Sequence, residues 1–302
     1  MIPHLPLTLD PAAAVRALAD ALAAASTPRP RRRAPPSRCR AELLLMPAAA
    51  GRYAGVKIAG VAPANPDRGL PRITGGYLLL DGPTLQPLAL LDGAALTALR
   101  TPAVTALALD RLAAPGARHL VLFGTGPQAY GHLDALLAVR PLERVTVVGR
   151  RPGPAEELAA HARARGTAAA VGGPEAVAGA DLVVCCTTAR TPLFDGRLVA
   201  PHAAVAAVGS HEPDAREVDT ALVRRSALYA EARSAALREA GDLVAAFAED
   251  GPAPLANLSE LVTGAAVVPH DRPRLFKSVG MAWEDLAVAA AQYKSTTGLS
   301  AT

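Results

Sequence analysis

The residues best suited to chemistry begin with Gly124-Thr125-Gly126-Pro127-Gln128-Ala129, a G-x-G-x-x-A loop. In such a loop the first glycine allows a tight turn and the second lets backbone approach a pyrophosphate. A small third residue lets the helix pack on the strand. The loop alone says little, but its setting is specific. An apolar run, Leu120–Phe123, precedes it; a helical pattern through Val139 and a second apolar run, Val145–Val148, follow. Strand, glycine loop, helix and strand point to a dinucleotide whose phosphates sit on the helix N-terminus. Gly124, Thr125, Gly126, Gln128 and Ala129 are its candidate contacts. Gly149-Arg150-Arg151 comes after the second strand. A carboxylate there would accept from the ribose 2′-hydroxyl of NAD; Arg150 and Arg151 suit a 2′-phosphate, so NADP(H) is favoured and NAD(H) is the alternative. Thr187 and Thr188 follow the apolar run Asp181–Cys186. They fall at the carboxyl edge of the expected sheet, where ligands lie in doubly wound folds.

These groups need a scaffold, and the patterning changes near residue 104 to supply two. Before it, Ala41–Met46, Gly55–Ala59, Tyr77–Leu80 and Leu85–Leu91 read as strands joined by Gly and Pro turns, which predicts an antiparallel sheet. A helix starts at Ala94 or Pro102 and runs to about Leu112. From His119, strands apolar on both faces alternate with helices (Pro154–Arg165 among them), which predicts a parallel sheet covered on both sides. Val205–Val208 and Ala227–Tyr229 are further short strands, and Ala282–Tyr293 is a terminal helix. The expected fold is α/β: a Rossmann-type doubly wound parallel sheet over residues 104–281, plus an N-terminal α+β domain over 1–103 completed by 282–302.

Composition excludes other classes. Of 302 residues 51% are apolar and the net charge is +4, which rules out a disordered chain. The basic run Pro28–Arg40 has no interleaved aromatic to stack on bases and no basic helical face, so it reads as a solvated connector; neither nucleic acid nor membrane is an expected partner. Three cysteines without metal-ligand spacing fit a reducing cytoplasm, with no metal. Pro11–Ala25 is an amphipathic helix rather than a signal segment.

Several segments in order then resemble one family. Leu96-Thr97-Ala98-Leu99-Arg100-Thr101-Pro102-Ala103, some twenty residues before the glycine loop, is similar to a motif of the ornithine cyclodeaminase/mu-crystallin family. Leu45-Met46-Pro47, Gly55-Val56-Lys57, Val208-Gly209-Ser210 with Arg216-Glu217-Val218-Asp219, Glu239-Ala240-Gly241-Asp242-Leu243 and Phe276-Lys277-Ser278-Val279-Gly280 resemble it too. The resemblance implies a homodimer whose N-terminal domain, with the last helix, binds substrate and forms the subunit contact. It adds Thr101, Val208, Ser278 and Gly280 to the cofactor positions. Lys57 and Arg100 look like substrate-site cations, and Arg38 matches a third, with Arg40 pointing the same way along a strand. Cations around one small pocket suit an α-carboxylate.

Two positions depart from the cyclodeaminase pattern. His211 stands where cyclodeaminases of the family carry an aspartate, and Arg72 stands where they have threonine. An imidazole relays protons but does not replace an anion beside an ammonium. The expectation is therefore an NAD(P)H-dependent reductase of small cyclic imino acids, with Lys57, Arg100, Arg38 and His211 around the substrate. An amino-acid dehydrogenase or cyclodeaminase-type lyase, and a cofactor-bound binding protein, are the alternatives.

Overall fold

Alternation of inward and outward residues in the first hundred positions builds a five-stranded antiparallel sheet. The structure is a computed structural model that describes residues 2–24, the backbone of 32 and 33, and residues 41–298. Arg38, Cys39 and Arg40 lie outside the described residues, as does most of the basic connector. The chain divides into one unit of Met1–Thr101 with Met281–Thr302 and a second of Pro102–Gly280.

In the first unit, α1 (Pro11–Ala23) starts on Asp10, whose side chain accepts from the Ala13 N–H, and buries the stripe Ala14, Val15, Leu18, Leu22. Strands β1 (Arg32–Arg33), β2 (Glu42–Ala50), β3 (Tyr53–Val61), β4 (Ile73–Asp81) and β5 (Pro87–Asp92) lie side by side in chain order. In β3 the period of two buries Tyr53, Gly55, Lys57, Ala59 and Val61 and turns Ile58 outward. The buried face meets the last helix of the chain, Ala282–Thr297, with Leu44, Met46, Ala59, Val61 and Ala282 as a core cluster. On the other face Leu43, Leu45, Ile58 and Leu90 are exposed. Helix α2 (Gly93–Leu112) is one helix that contains Pro102, where a start at Ala94 or Pro102 was expected; Asp92 caps it by accepting from the Ala95 N–H.

The second unit is an eight-stranded sheet whose neighbours are all parallel. Its elements run β6 (His119–Phe123), α3 (Pro127–Val139), β7 (Arg144–Val148), α4 (Pro152–Ala164), β8 (Ala168–Val171), β9 (Leu182–Cys185), β10 (Ala204–Ala207), α5 (Thr220–Arg225), β11 (Ala227–Ala230), α6 (Arg233–Glu239), α7 (Gly241–Asp250), β12 (Leu255–Asn257), α8 (Leu258–Val262) and β13 (Arg274–Lys277). The last helix is α9. Strand order is β12-β11-β13-β10-β9-β6-β7-β8, so the chain moves outward from β6 to β8 and then crosses back to β9. That reversal between β6 and β9 is the switch point at which doubly wound sheets bind ligands. Strands β8, β12 and β13 escape the apolar pattern: β8 is mostly alanine, β12 has three residues, and β13 begins and ends with buried cations.

Beneath the glycine loop, His132 on α3 is wholly buried. Its Nδ1 lies 2.7 Å from the Gln128 carbonyl and its Nε2 3.0 Å from Thr105 Oγ1. Nδ1 therefore donates and Nε2 accepts from the hydroxyl. Burial drops its pKa to about 4, against a smaller upward pull from the Gln128 carbonyl.

Candidate active site

Lys57 stands mid-strand on β3, with Met46 opposite it on β2 and Tyr77 opposite it on β4. Its Nζ donates to Asp285 Oδ1 on α9 at 2.8 Å and to Thr97 Oγ1 on α2 at 3.2 Å. Arg100, one turn along α2, donates from Nε to the same Asp285 oxygen at 3.1 Å and from Nη1 to Glu284 Oε2 at 2.8 Å. Asp285 and Glu284 are fully buried, and Lys57 and Arg100 nearly so. Charges buried this deeply persist only when paired and hydrogen-bonded, so the two carboxylates hold the two cations at fixed positions. Two cations from a strand and a helix thus converge on one carboxylate oxygen.

The sequence reading missed Glu284, Asp285, Thr97 and Tyr77. Acids in the first turn of a helix ordinarily serve its dipole. The available signal was their setting: Trp283, Leu286, Val288, Ala289 and Ala290 leave α9 no polar face to hold them. Tyr77, fully buried, leans over Gly55, where a Cβ would stand 2.3 Å from its hydroxyl. Burial, and secondarily the Asp285 charge, push the phenol well above its usual range, so it stays neutral.

In the second unit, Gly124 has φ +115° and a Cβ there would stand 2.8 Å from the Cys186 carbonyl oxygen, so only glycine fits. Gly126 caps α3, is exposed, and a Cβ there would meet nothing within 4 Å. Ala129 is fully buried, as the third position of the loop requires. The backbone cradle and open helix terminus fit a pyrophosphate. Thr125 packs its methyl group toward Gly149, and Gln128 lies half-buried in the first turn of α3. Arg150 and Arg151 are exposed at the end of β7, and neither side chain has an ion-pair partner among the described residues.

The remaining candidates follow along the sheet edge. The Val208 N–H donates to the Cys185 carbonyl and the Ser278 N–H to the Ala207 carbonyl. The candidates therefore mark the carboxyl ends of five neighbouring strands, β13, β10, β9, β6 and β7. Thr188 is exposed, His211 is half-buried, and Thr101 is buried at the end of the first unit.

A buried clamp, also missed from sequence, fixes this edge. Glu217 Oε1 accepts from the Thr187 N–H at 2.7 Å and from its hydroxyl at 2.8 Å; Oε2 accepts from the Gly209 N–H at 2.7 Å. Asp242 Oδ1 accepts from the Glu217 and Val218 N–H groups, and Oδ2 lies 2.8 Å from Lys277 Nζ. Burial pushes the Glu217 carboxyl above its usual range against the pull of Lys277 and the Thr187 and Gly209 donors. At Asp242 burial works the same way, but Lys277 and the backbone donors outweigh it and hold the carboxyl low. Glu231 likewise accepts from the Ser278 hydroxyl and the Val279 and Gly280 N–H groups, so the Ser278 hydroxyl and Gly280 N–H are engaged within the protein. Among the described residues no His, Cys, Asp or Glu cluster is fit to hold a metal, and no helix is long and apolar enough to cross a membrane.

The sequence model of the ornithine cyclodeaminase/mu-crystallin family matches residues 10–299. Delta(1)-pyrroline-2-carboxylate reductase 2 of Burkholderia ambifaria is 38% identical over 81% of this chain and 78% of that protein. The ketimine reductase mu-crystallin of Mus musculus is 36% identical over 75% of this chain and 71% of its own. Among solved structures, the Thermococcus litoralis Delta(1)-pyrroline-2-carboxylate reductase, in complex with NADH and L-proline, superposes with a TM-score of 0.91 at 27% identity, covering 99% of both chains.

Proposed function

The chain belongs to the ornithine cyclodeaminase/mu-crystallin family, and from that premise we propose that it reduces a small cyclic imino acid of the pyrroline- or piperideine-2-carboxylate kind, with NADPH as the preferred reductant. It is an NAD(P)-dependent oxidoreductase of the class acting on CH–NH or C=N groups. The single observation that carries the substrate reading is the convergence of Lys57 Nζ and Arg100 Nε on one carboxylate oxygen.

In this reading Arg100 and Lys57 hold the substrate carboxylate. A guanidinium carries five N–H donors and an ammonium three, and Asp285 and Glu284 fix both groups before substrate arrives, so little ordering cost remains. The family resemblance names Arg38, which lies outside the described residues, as a third cation. A reduced nicotinamide, when bound, supplies hydride to the imine carbon. The C=N electron pair then passes to nitrogen, a change that the positive charge of Lys57 beside it favours. His211 on the loop after β10 serves as a proton relay. The glycine loop and the sheet edge from Thr187 to Ser278 hold the dinucleotide, and the exposed Arg150 and Arg151 hold its 2′-phosphate.

The exposed apolar face of the antiparallel sheet, Leu43, Leu45, Ile58 and Leu90, supports a homodimer with that face covered. The test of function is a panel of cyclic imino acids, and of α-keto acids with amines, followed by nucleotide absorbance with NADPH and with NADH. Turnover of five- or six-membered cyclic imino acids is expected, faster with NADPH. Turnover of only keto acids with amines would favour an amino-acid dehydrogenase. Silence throughout, with tight small-molecule binding, would make the protein a binder.

A further inference from the structure

Beside the two cations lie two polar atoms with no hydrogen-bond partner among the described residues. Asp285 Oδ1 takes both Lys57 and Arg100, while Asp285 Oδ2 has no hydrogen-bond partner among the described residues. The Tyr77 hydroxyl has none either. Both side chains are fully buried. They are neighbours: Tyr77 sits directly across from Lys57 on the inward face, Lys57 contacts Asp285, and the Asp285 charge is felt at the phenol. Residues facing each other in this way have Cβ atoms about 5 Å apart.

Unmet buried polar atoms are uncommon in folded proteins and call for an explanation, since each forfeits hydration without return. Phenylalanine at 77 would fill the same space with no unmet hydroxyl, and Gly55 gives up a side chain to make room for the phenol.

We propose that Asp285 Oδ2 and the Tyr77 hydroxyl oxygen form a subsite for the ring nitrogen, accepting its N–H hydrogens while Lys57 and Arg100 hold the carboxylate. The inference deepens the imino-acid reading and rests on it. One carboxylate then does two things: Oδ1 orients both cations and Oδ2 receives the N–H of the ligand they hold. A protonated imine offers one N–H, to Asp285; the secondary ammonium of the product offers two, to Asp285 and Tyr77. The phenol, kept neutral by burial, takes no part as an acid. Tyr77 and Asp285 thereby become specificity-determining residues that separate nitrogen-ring carboxylates from rings lacking an N–H.

The test compares L-proline with (S)-tetrahydrofuran-2-carboxylate, which has the same ring and carboxylate but an oxygen in place of N–H. Binding is measured calorimetrically with the nicotinamide nucleotide present, and thermal melting is recorded alongside. The wild-type protein should prefer L-proline by at least about tenfold, because a site built around an N–H rejects an analogue without one. In Tyr77→Phe that preference should fall about fivefold, through weaker L-proline binding alone, while the melting temperature rises by a few degrees as the unmet hydroxyl disappears. Asp285→Asn should invert the preference: Oδ1 must still accept from Lys57 and Arg100, so the amide NH₂ takes the Oδ2 position and donates to the ring oxygen.

An unchanged preference in Tyr77→Phe would overturn the inference, and so would a fall in its melting temperature, which would reveal a structural partner for the hydroxyl. Should Asp285→Asn not fold, the Tyr77→Phe comparison decides alone. Wild-type protein that reduces cyclic imines yet binds both ring acids equally sinks the subsite and leaves the function standing. Protein that reduces none of the imines removes both.

Discussion

Each unit of the molecule buries a lysine beside an aspartate at 2.8 Å, Lys57 with Asp285 in the first and Lys277 with Asp242 in the second. All four side chains are at most 2% exposed. What differs is where the other lone pairs go. In the second unit Asp242 Oδ1 accepts from two backbone N–H groups and Oδ2 lies 2.8 Å from Lys277 Nζ, and its partner Glu217 takes two N–H groups and a hydroxyl. In the first, Asp285 crowds two cations onto one oxygen and leaves the other without a partner among the described residues. Backbone donors make a closed clamp that fixes strand ends. In the function proposed above, side-chain cations with an unmet acceptor make a receptor. The ion pair itself distinguishes neither, because desolvation offsets much of the attraction in both places.

The sharpest way to break this contrast is to remove each lysine in turn. Lys57→Met should lower kcat/KM for the imine by about a thousandfold or more, since it removes charge beside the reacting bond. Its affinity for NADPH should stay within about twofold, because the candidate dinucleotide residues, Thr101 apart, belong to the other unit. Fluorescence titration and steady-state kinetics measure both. If turnover survives, Lys57 only neutralises Asp285 and the first unit holds no receptor.

Lys277→Met should show the reverse order of losses. Breaking a buried pair leaves an uncompensated carboxylate, which costs about 3–5 kcal/mol of stability. Chemical denaturation should show that loss, while L-proline affinity changes little under conditions where the protein stays folded. A variant as stable as the wild type would mean that the clamp is not what holds the sheet edge.

The same contrast explains what could be read from sequence. The glycine loop was legible because its three small positions answer to local backbone geometry, the positive φ of Gly124 above all. The motifs around Gly209, Glu217, Asp242 and Lys277 were visible as an ordered set, but their reason was not: Thr187, the stretch 209–218, Asp242 and Lys277 meet in one cluster. Lys57 stood out by interrupting an apolar strand. Asp285 did not, because an acid near a helix start is unremarkable until the helix is known to be buried on nearly every side. Tyr77, next to three leucines, read only as the start of a strand. Only the missing partner marks it, and partners are a property of three dimensions.

A neutral buried group offers a third case against which both ion pairs are measured. His132 is held uncharged, with its pKa near about 4 in place of 6.5. Between those values the unfolded chain binds a proton that the folded chain refuses, so stability falls as pH drops from 6.5 toward 4 and is unaffected by this group above 6.5. The loss amounts to roughly 2–3 kcal/mol by pH 4. His132→Gln should flatten that part of the denaturation-midpoint profile. An unchanged slope would assign the acid sensitivity to the carboxylates of the two clusters instead.

The smallest effect belongs to charges that are not buried at all. Arg150 and Arg151 stand in solvent without ion-pair partners among the described residues, and exposed cations of that kind add little until a ligand brings an anion. Replacing both with alanine should leave the fold and NADH affinity within about twofold and weaken NADPH about tenfold, the worth of two exposed charge-assisted contacts to one phosphate. Because those contacts face water, the wild-type preference for NADPH should also narrow as salt is raised from about 0.05 to 0.5 M, as the Debye length shrinks below the charge separation. Substrate binding by the buried Lys57 and Arg100 should change far less over that range. If both cofactors weaken equally in the double variant, the arginines serve the common pyrophosphate or the loop itself, and the 2′-phosphate reading fails while the rest of the site is untouched.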